Sequence, residues 1–226
     1  MSEPLYKFGG LRFWSEEEID RREAFVLSTS KLVKRTLSEL NPAFRHFRVE
    51  GPCLSPRDRI ADEYEDDDLF RTNHVVGGEP LFLRAETTPS SYAAARKIGG
   101  KLPVCVWQTG KVFRRETNDG ASAAKLRFND FWQMEFQSIY RSDTKADYRA
   151  ALTDVLVPHV ERFTGRDVRL VASDRLPKYS DSTIDIEVKD GKNWREVASC
   201  SVRNDYSDDT KVCEIAFGLC RIVSLS

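Results

Sequence analysis

At 226 residues the chain is long enough for one substantial hydrophobic core, and a single domain spanning 1–226 is the simplest partition. Its 35 basic residues against 36 acidic ones exclude an overall basic field that would hold nucleic acid nonspecifically, so any RNA contact has to be local. Five cysteines, at 53, 105, 200, 213 and 220, are odd in number and form no C-x-x-C pair, which argues against a zinc cluster or a disulfide framework. Without a signal-peptide core or a long apolar span, a cytoplasmic protein with no membrane partner is expected.

Met1 to Trp14 holds a Gly-Gly pair and scattered aromatics, which suit either an ordered strand or a docking tail. Ser15 and Glu18 then form a capping box, and Ile19, Val26, Val33, Leu37 and Leu40 recur on one face of a helix that Asn41-Pro42 ends. The stretch from Phe44 to Leu54 reads as extended, with Pro52 interrupting the strand. Asp58 to Asp68 is strongly acidic, but its ligands lack metal-site spacing, so a solvated loop is expected. Leu81 to Thr88 is then a strand, followed by a short helix from Pro89 to Ile98 that Gly99-Gly100 stops.

Lys111 to Tyr140 reads as a long hairpin. Val112 to Glu116 is its first strand, the Asn-, Gly- and Ser-rich segment Thr117 to Lys125 a mobile loop, and Leu126 to Tyr140 the return. Arg114 and Glu116 share a face, and Arg127 and Phe131 begin the return strand. A guanidinium suits a phosphate, a carboxylate accepts from an exocyclic amine, and a ring stacks on a purine, so the set suits a nucleotide. The alternative is a solvated hairpin whose Arg and Glu pair with each other.

Thr144 and Asp147 cap a further helix, carrying Tyr148, Leu152, Val155, Leu156 and Val160 to Phe163, with Gly165 placed to end it. Strands follow at Val168 to Val171 and Thr183 to Val188, and Asp190-Gly191 turns into Trp194.

The order Phe113-Arg114-Arg115-Glu116, small-residue loop, Arg127, Phe131 resembles motif 2 of the class II aminoacyl-tRNA synthetases. The resemblance implies that Arg114 holds the ATP α-phosphate, Glu116 reads the adenine amino group and Phe131 stacks on adenine, with Arg127 also at the ATP. The long helix leading to a strand that ends at Pro52 loosely resembles motif 1, a dimer interface in the family, which implies a homodimer. Leu83-Arg84-Ala85-Glu86-Thr87 is similar to the L-R-P-E-T stretch of glycyl enzymes, where the Glu meets the substrate amino group; here Ala85 replaces Pro. A mutual Arg84–Glu86 surface ion pair is the plain alternative. Leu102-Pro103, Gln108, Gly110, Phe113-Arg114 and Glu116 continue the glycyl pattern, and Glu135 follows it on the return strand.

Trp194 to Tyr206 resembles both the glycyl W-x-E and D-R-x-x-Y segment and the seryl E-V-S-S-C-S. By this resemblance Glu196 and Ser199 lie beside metal and phosphate, and Arg203 narrows the substrate cleft. Glu214 to Arg221 resembles motif 3, with Arg221 at the γ-phosphate and Glu214 at the substrate end. Ala216 stands where glycyl enzymes have the Ser that contacts glycine, Ile215 replaces Pro, and Cys220 replaces a small Gly.

Together these resemblances imply an α+β fold, an antiparallel β-sheet flanked by helices, in one class II synthetase-like catalytic domain without an anticodon-binding domain. They imply ATP and Mg²⁺, the metal held by Glu196 with Ser199 or Glu214, and a small amino acid, glycine first, bound by Glu86, Glu135, Arg203, Glu214 and Ala216. The product is an aminoacyl-adenylate, passed to tRNA or another acceptor. The alternative is a noncatalytic synthetase-like binding or regulatory protein.

Overall fold

The computed structural model describes residues 10–60, 64–76, 78–116, 120–174 and 179–226. The amphipathic helix takes shape as α1, Glu16–Leu40, and both bonds of the Ser15/Glu18 capping box form. Its buried stripe is Phe25, Thr29, Val33, Thr36 and Leu37. Leu40, expected on that stripe, is exposed, because the chain turns away at the C-cap Asn41. Strands β1 (Arg45–Arg48) and β2 (Leu54–Pro56) flank the Pro52 break.

The acidic run contains two 3₁₀ turns, Arg57–Arg59 and Asp66–Asp68, while 61–63 lie outside the described residues. Strands β3 (Arg71–Val76) and β4 (Glu79–Leu83) form a small sheet of order β2-β4-β3. Nothing in the sequence pattern of β3 announces it: it opens on Arg71-Thr72-Asn73 with no apolar alternation and is a strand because β4 pairs with it. Helix α2 (Thr88–Ile98) ends at Gly99, whose φ of 61° favours glycine.

The long hairpin differs from its expected bounds at both strands. Its first strand β5 runs Val104–Phe113, beginning earlier because Val104, Cys105 and Val106 are buried core, and ending before Arg114. The Arg114 N–H still bonds the Asn129 carbonyl across the hairpin, but the Arg115 N–H turns instead to the carbonyl of Asp68, and the pairing ends. Arg114 and Glu116 therefore do not share a strand face. The return strand β6 begins at Asp130 and runs to Arg141, while Leu126 has φ 52° and Arg127 makes only an isolated bridge to Ser122. Within the loop expected to be mobile, 117–119 lie outside the described residues.

Helix α3 (Tyr148–Thr164) is capped by Asp147 alone, which accepts from the Ala150 N–H; Thr144 instead closes a turn onto the Arg141 carbonyl. Strands β7 (Val168–Ala172), β8 (Ser180–Asp190), β9 (Asn193–Arg203) and β10 (Thr210–Gly218) follow, and α4 (Leu219–Leu225) comes after β10. The main sheet has seven strands in the order β1-β5-β6-β10-β9-β8-β7, antiparallel except for the β1–β5 pair. The α+β class and the helix-flanked antiparallel sheet are as expected.

Strand alternation divides this sheet into two unlike faces. One carries Phe136, Ile215, Phe217, Cys200 and Ile186, all buried in a core shared with Phe25, Val33 and Leu37 of α1 and Leu152, Leu156 and Val160 of α3. Each such fully buried side chain contributes roughly 1.5–3 kcal/mol. Phe25 makes edge contacts with Phe163 and Phe217 and so ties α1, α3 and β10 together. The opposite face is divided: Val104, Val106, Ile139 and Val212 form a second apolar cluster with Tyr92 and Ala95 of α2, and the rest of it is polar. No described helix is long and apolar enough to cross a membrane.

Candidate active site

Register places the polar residues of the second face in rows across the strands. One row is Gln108, Glu135, Ala216, Ser199 and Asp185, read from β5 through β6, β10 and β9 to β8. Two residues along, about 7 Å away, lies the row Gln137, Glu214, Ser201 and Thr183. In the other direction Gly110, Gln133 and Gly218 continue the floor. Over it lies a cavity of about 610 Å³ lined, among others, by Glu86, Arg114, Glu116, Arg127, Phe131, Glu135, Glu196, Ser199, Glu214, Ala216 and Arg221. Every sequence-selected site residue except Arg203 therefore faces one space.

One end of the cavity gathers Arg114, Arg127 and Arg221, interleaved with Glu86, Glu116 and Glu196. The Arg114 Nε donates to the Ala85 carbonyl (3.2 Å), and the guanidinium lies 5.2 Å from the Tyr64 ring centroid and 5.3 Å from that of Phe131. Burial opposes its charge, but Tyr64, Glu86, Glu116 and Glu196 outweigh burial and raise its pKa. Arg221 donates to the carbonyls of Leu126 (3.0 Å) and Glu196 (2.8 Å). Burial lowers its pKa; Glu196 offsets this, while Arg127 and Arg114 add to the lowering. Glu116 pairs with Arg127 at 3.2 Å rather than with Arg114, so the mutual Arg114–Glu116 pair is not formed.

At the other end the cavity is acidic. Glu135, 1% exposed, accepts from the Thr87 hydroxyl (2.8 Å) and from Gln137 Nε2 (2.6 Å). Gln137 Nε2 also donates to Glu214 Oε2 (2.6 Å), which accepts from Arg203 Nη1 (2.6 Å) and the Thr88 hydroxyl (3.3 Å) as well. Burial, and then the charge of Glu214, push the Glu135 carboxyl up to about 7. Asp185 is likewise raised, first by burial, with Ser173 and Ser199 hydrogen bonds opposing the rise.

Arg203 is not among the residues that line the cavity; it meets the site through Glu214 and Tyr179, which do line it. Its guanidinium sits behind Glu214, paired also with Asp205 (2.6 Å), 3.7 Å from the Tyr179 ring centroid and 5.4 Å from that of Tyr92. Arg84 is buried too and donates to the carbonyls of Lys111, Gly51 and Pro52, which excludes the surface ion pair with Glu86. A side chain on Gly110 would collide with that guanidinium. Gln108 joins β5 to α2 through Thr87, Ser90 and Ser91.

Several cavity residues escape sequence reasoning: Tyr64, Thr88, Gln133, Tyr179, Thr183, Asp185 and Ser201. The alternation of Ile184, Ile186 and Val188 with Asp185 does put Asp185 on the polar face. That the face borders a cavity rather than open solvent is not in the strand pattern. Asp68 and Tyr64 bring the acidic segment, expected only as a solvated loop, to the cavity rim.

A mostly antiparallel sheet flanked by helices has the architecture of a class II synthetase catalytic domain. The chain belongs to that family: the model of the tRNA synthetases class II core domain (F) matches residues 53–220. It is 28% identical over 153 residues to a glycine–tRNA ligase of Mesoplasma florum, covering 61% of this chain and 33% of that protein. The α subunit of a phenylalanine–tRNA ligase of Shouchella clausii is 27% identical over 113 residues, with 50% and 30% covered. In fold it is similar to the prolyl-tRNA synthetase of Cryptosporidium parvum complexed with halofuginone and AMPPNP, at TM-score 0.76 and 12% identity, with 100% of this chain and 49% of that one covered. The chain spans about a third of the length of the curated relatives it matches and about half of the solved chain.

Proposed function

We propose that this chain uses ATP to activate a small amino acid, glycine first, as an aminoacyl-adenylate. The observation that carries this reading is the gathering of Arg114, Arg127 and Arg221 at one end of a single cavity, interleaved with Glu116 and Glu196, while Glu135 and Glu214 lie on the floor at the other. The arginines suit a polyphosphate and the carboxylates an ammonium. In the reaction a carboxylate oxygen of the amino acid attacks the α-phosphorus; the bond to pyrophosphate breaks as the acyl-phosphate bond forms. No protein nucleophile takes part. Arg114 neutralises charge at the α-phosphate and Arg221 at the γ-phosphate, Glu116 and Phe131 hold the adenine, and Glu86, Glu135 and Glu214 hold the ammonium.

Glu196 and Ser199, both on the cavity wall, have the oxygen chemistry for Mg²⁺, whereas Glu214 is engaged by Arg203, Gln137 and Thr88. Among the described residues no three His, Cys, Asp or Glu side chains are grouped to hold a metal, so the phosphates would supply further ligands. When bound, the cation neutralises phosphate charge. Glycine is supported by the glycine–tRNA ligase relatives and by the small Ala216 at the centre of the floor. A tRNA or another acceptor would take the activated group. The reading includes a cytoplasmic homodimer built on α1 and β1, to be checked by sedimentation.

ATP–pyrophosphate exchange across the twenty amino acids tests the reaction. The expected result is Mg²⁺-dependent exchange with glycine, and weaker exchange with alanine and serine, since one methyl group discriminates by only roughly 1–3 kcal/mol. Exchange with none of them would overturn catalysis in favour of a noncatalytic binding protein.

A further inference from the structure

The residue that would limit substrate size can be found by following the floor away from the arginines. Along β10 the cavity-facing positions are Gly218, Ala216 and Glu214, and the next position in the same alternation is Val212, paired with Arg203 of β9. Along β9 the series is Val197, Ser199, Ser201 and then Arg203, which has left the cavity lining. The floor thus ends at Arg203, and the cavity residue stacked on that guanidinium is Tyr179, with 3.7 Å from Arg203 Cζ to the ring centroid.

The wall is held from several sides. Arg203 is paired with Glu214 and Asp205 at 2.6 Å each, and Tyr92, whose hydroxyl donates to Asp205 at 2.9 Å, lies on its far side. The Tyr179 carbonyl accepts from the Asn204 N–H at 3.0 Å, so the backbone under the ring is anchored to the residue after Arg203. The hydroxyls beside it are already engaged. Thr183 bonds Ser201 (3.0 Å) and Ser180 (3.1 Å), and Thr88 donates to Glu214. Such an end offers bulk rather than a directed polar contact.

We infer that Tyr179 is the specificity-determining residue of this cavity: its ring, backed by Arg203, closes the amino-acid end and limits the side chain by volume. The inference rests on the proposed activation of a small amino acid and adds the group that sets the limit.

The test is isothermal titration of the full chain with 5′-O-sulfamoyladenosine and its N-glycyl, N-alanyl and N-valyl derivatives, nonhydrolysable acyl-sulfamate analogues of the adenylate. Wild type is expected to bind glycyl over valyl analogue by a hundredfold or more. Tyr179→Ala should shrink that ratio at least tenfold while leaving affinity for the parent without an aminoacyl group unchanged, and Tyr179→Phe, which keeps the ring, should retain the wild-type ratio. Tyr179→Leu, keeping much of the volume without the stack on Arg203, should retain most of the ratio even if the alanine variant folds poorly. An unchanged ratio in Tyr179→Ala, an equal loss for all analogues, or no glycyl preference in wild type would overturn the inference. Binding with the expected ratios but no pyrophosphate exchange would overturn the proposed catalysis alone; no binding of any analogue would overturn both.

Discussion

The two ends of the cavity are built differently. The acidic end sits on the strands themselves: Glu135, Gln137 and Glu214 project from the interiors of β6 and β10 and Arg203 from the last position of β9, each is at most 6% exposed, and they are joined by bonds of 2.6 Å. The basic end sits where strands stop. Arg114, Glu116 and Arg127 lie beyond the ends of β5 and β6, and the Arg127 side chain is 41% exposed. Arg114 and Arg221 are aimed by backbone carbonyls of neighbouring segments rather than by carboxylates alone. The difference teaches that charge can be placed either by sheet register, which couples it to folding, or by loop carbonyls, which leave it more free to serve a ligand.

The largest effect should come from breaking the register-built end. Arg203→Ala leaves Glu214 buried without its cation, and removing one partner of a buried pair costs about 3–5 kcal/mol. Urea denaturation checks it, and a loss below about 1 kcal/mol would mean that the acidic network is not structural. Arg114→Ala should do the reverse, weakening binding of a nonhydrolysable ATP analogue by about 2–4 kcal/mol with little change in unfolding. Titration calorimetry beside the same denaturation experiment separates the two quantities.

A smaller effect is the pH dependence of the acidic end. The folded-state pKa of Glu135 is raised to about 7 from an ordinary 4.5, so the folded chain binds the proton more tightly than the unfolded one. The associated stability is fully present below about pH 4.5 and is lost as pH rises through 7, with a slope of at most about 1.4 kcal/mol per pH unit. His46 and His159, whose pKa values are lowered by burial, act in the opposite direction, so the informative quantity is wild type minus Glu135→Gln. That difference should grow between about pH 4.5 and 7 and level off above it, with the variant the more stable at the high end. The smallest effect belongs to the exposed pair at the basic end: Arg127→Ala should change stability by about 0–1 kcal/mol, because solvent screens the Glu116 contact. A loss comparable to that of Arg203→Ala would erase the contrast between the two ends.

Much of the site was legible in the chain. Arg114, Glu116, Glu196 and Arg221 stand in ordered motifs, and the same spacing brought Glu86, Glu135 and Glu214 to one cavity. Arg203 shows the limit, since motif order locates the residue but not which side of Glu214 its guanidinium occupies. Asp185 and Tyr179 show another: Asp185 reaches the cavity through the pairing of β8 with β9, and Tyr179, just before β8, through the bond from the Asn204 N–H to its carbonyl, while the 11 residues of β8 would read the same facing solvent.

By itself the sequence determined the elements whose causes are local. The Ser15/Glu18 box starts α1, Asp147 and Gly165 bound α3, and strict alternation makes β8 two-faced. Tertiary structure alone decided where the hairpin strands end, that β3 is a strand, and that Arg203 supports the cavity from behind. These depend on partners far apart in the chain, such as Arg115 with Asp68, β3 with β4, and Arg203 with Tyr92 and Tyr179. A short segment with weak propensity takes the conformation its neighbours' hydrogen bonds and packing impose, and those neighbours exist only once the chain has folded.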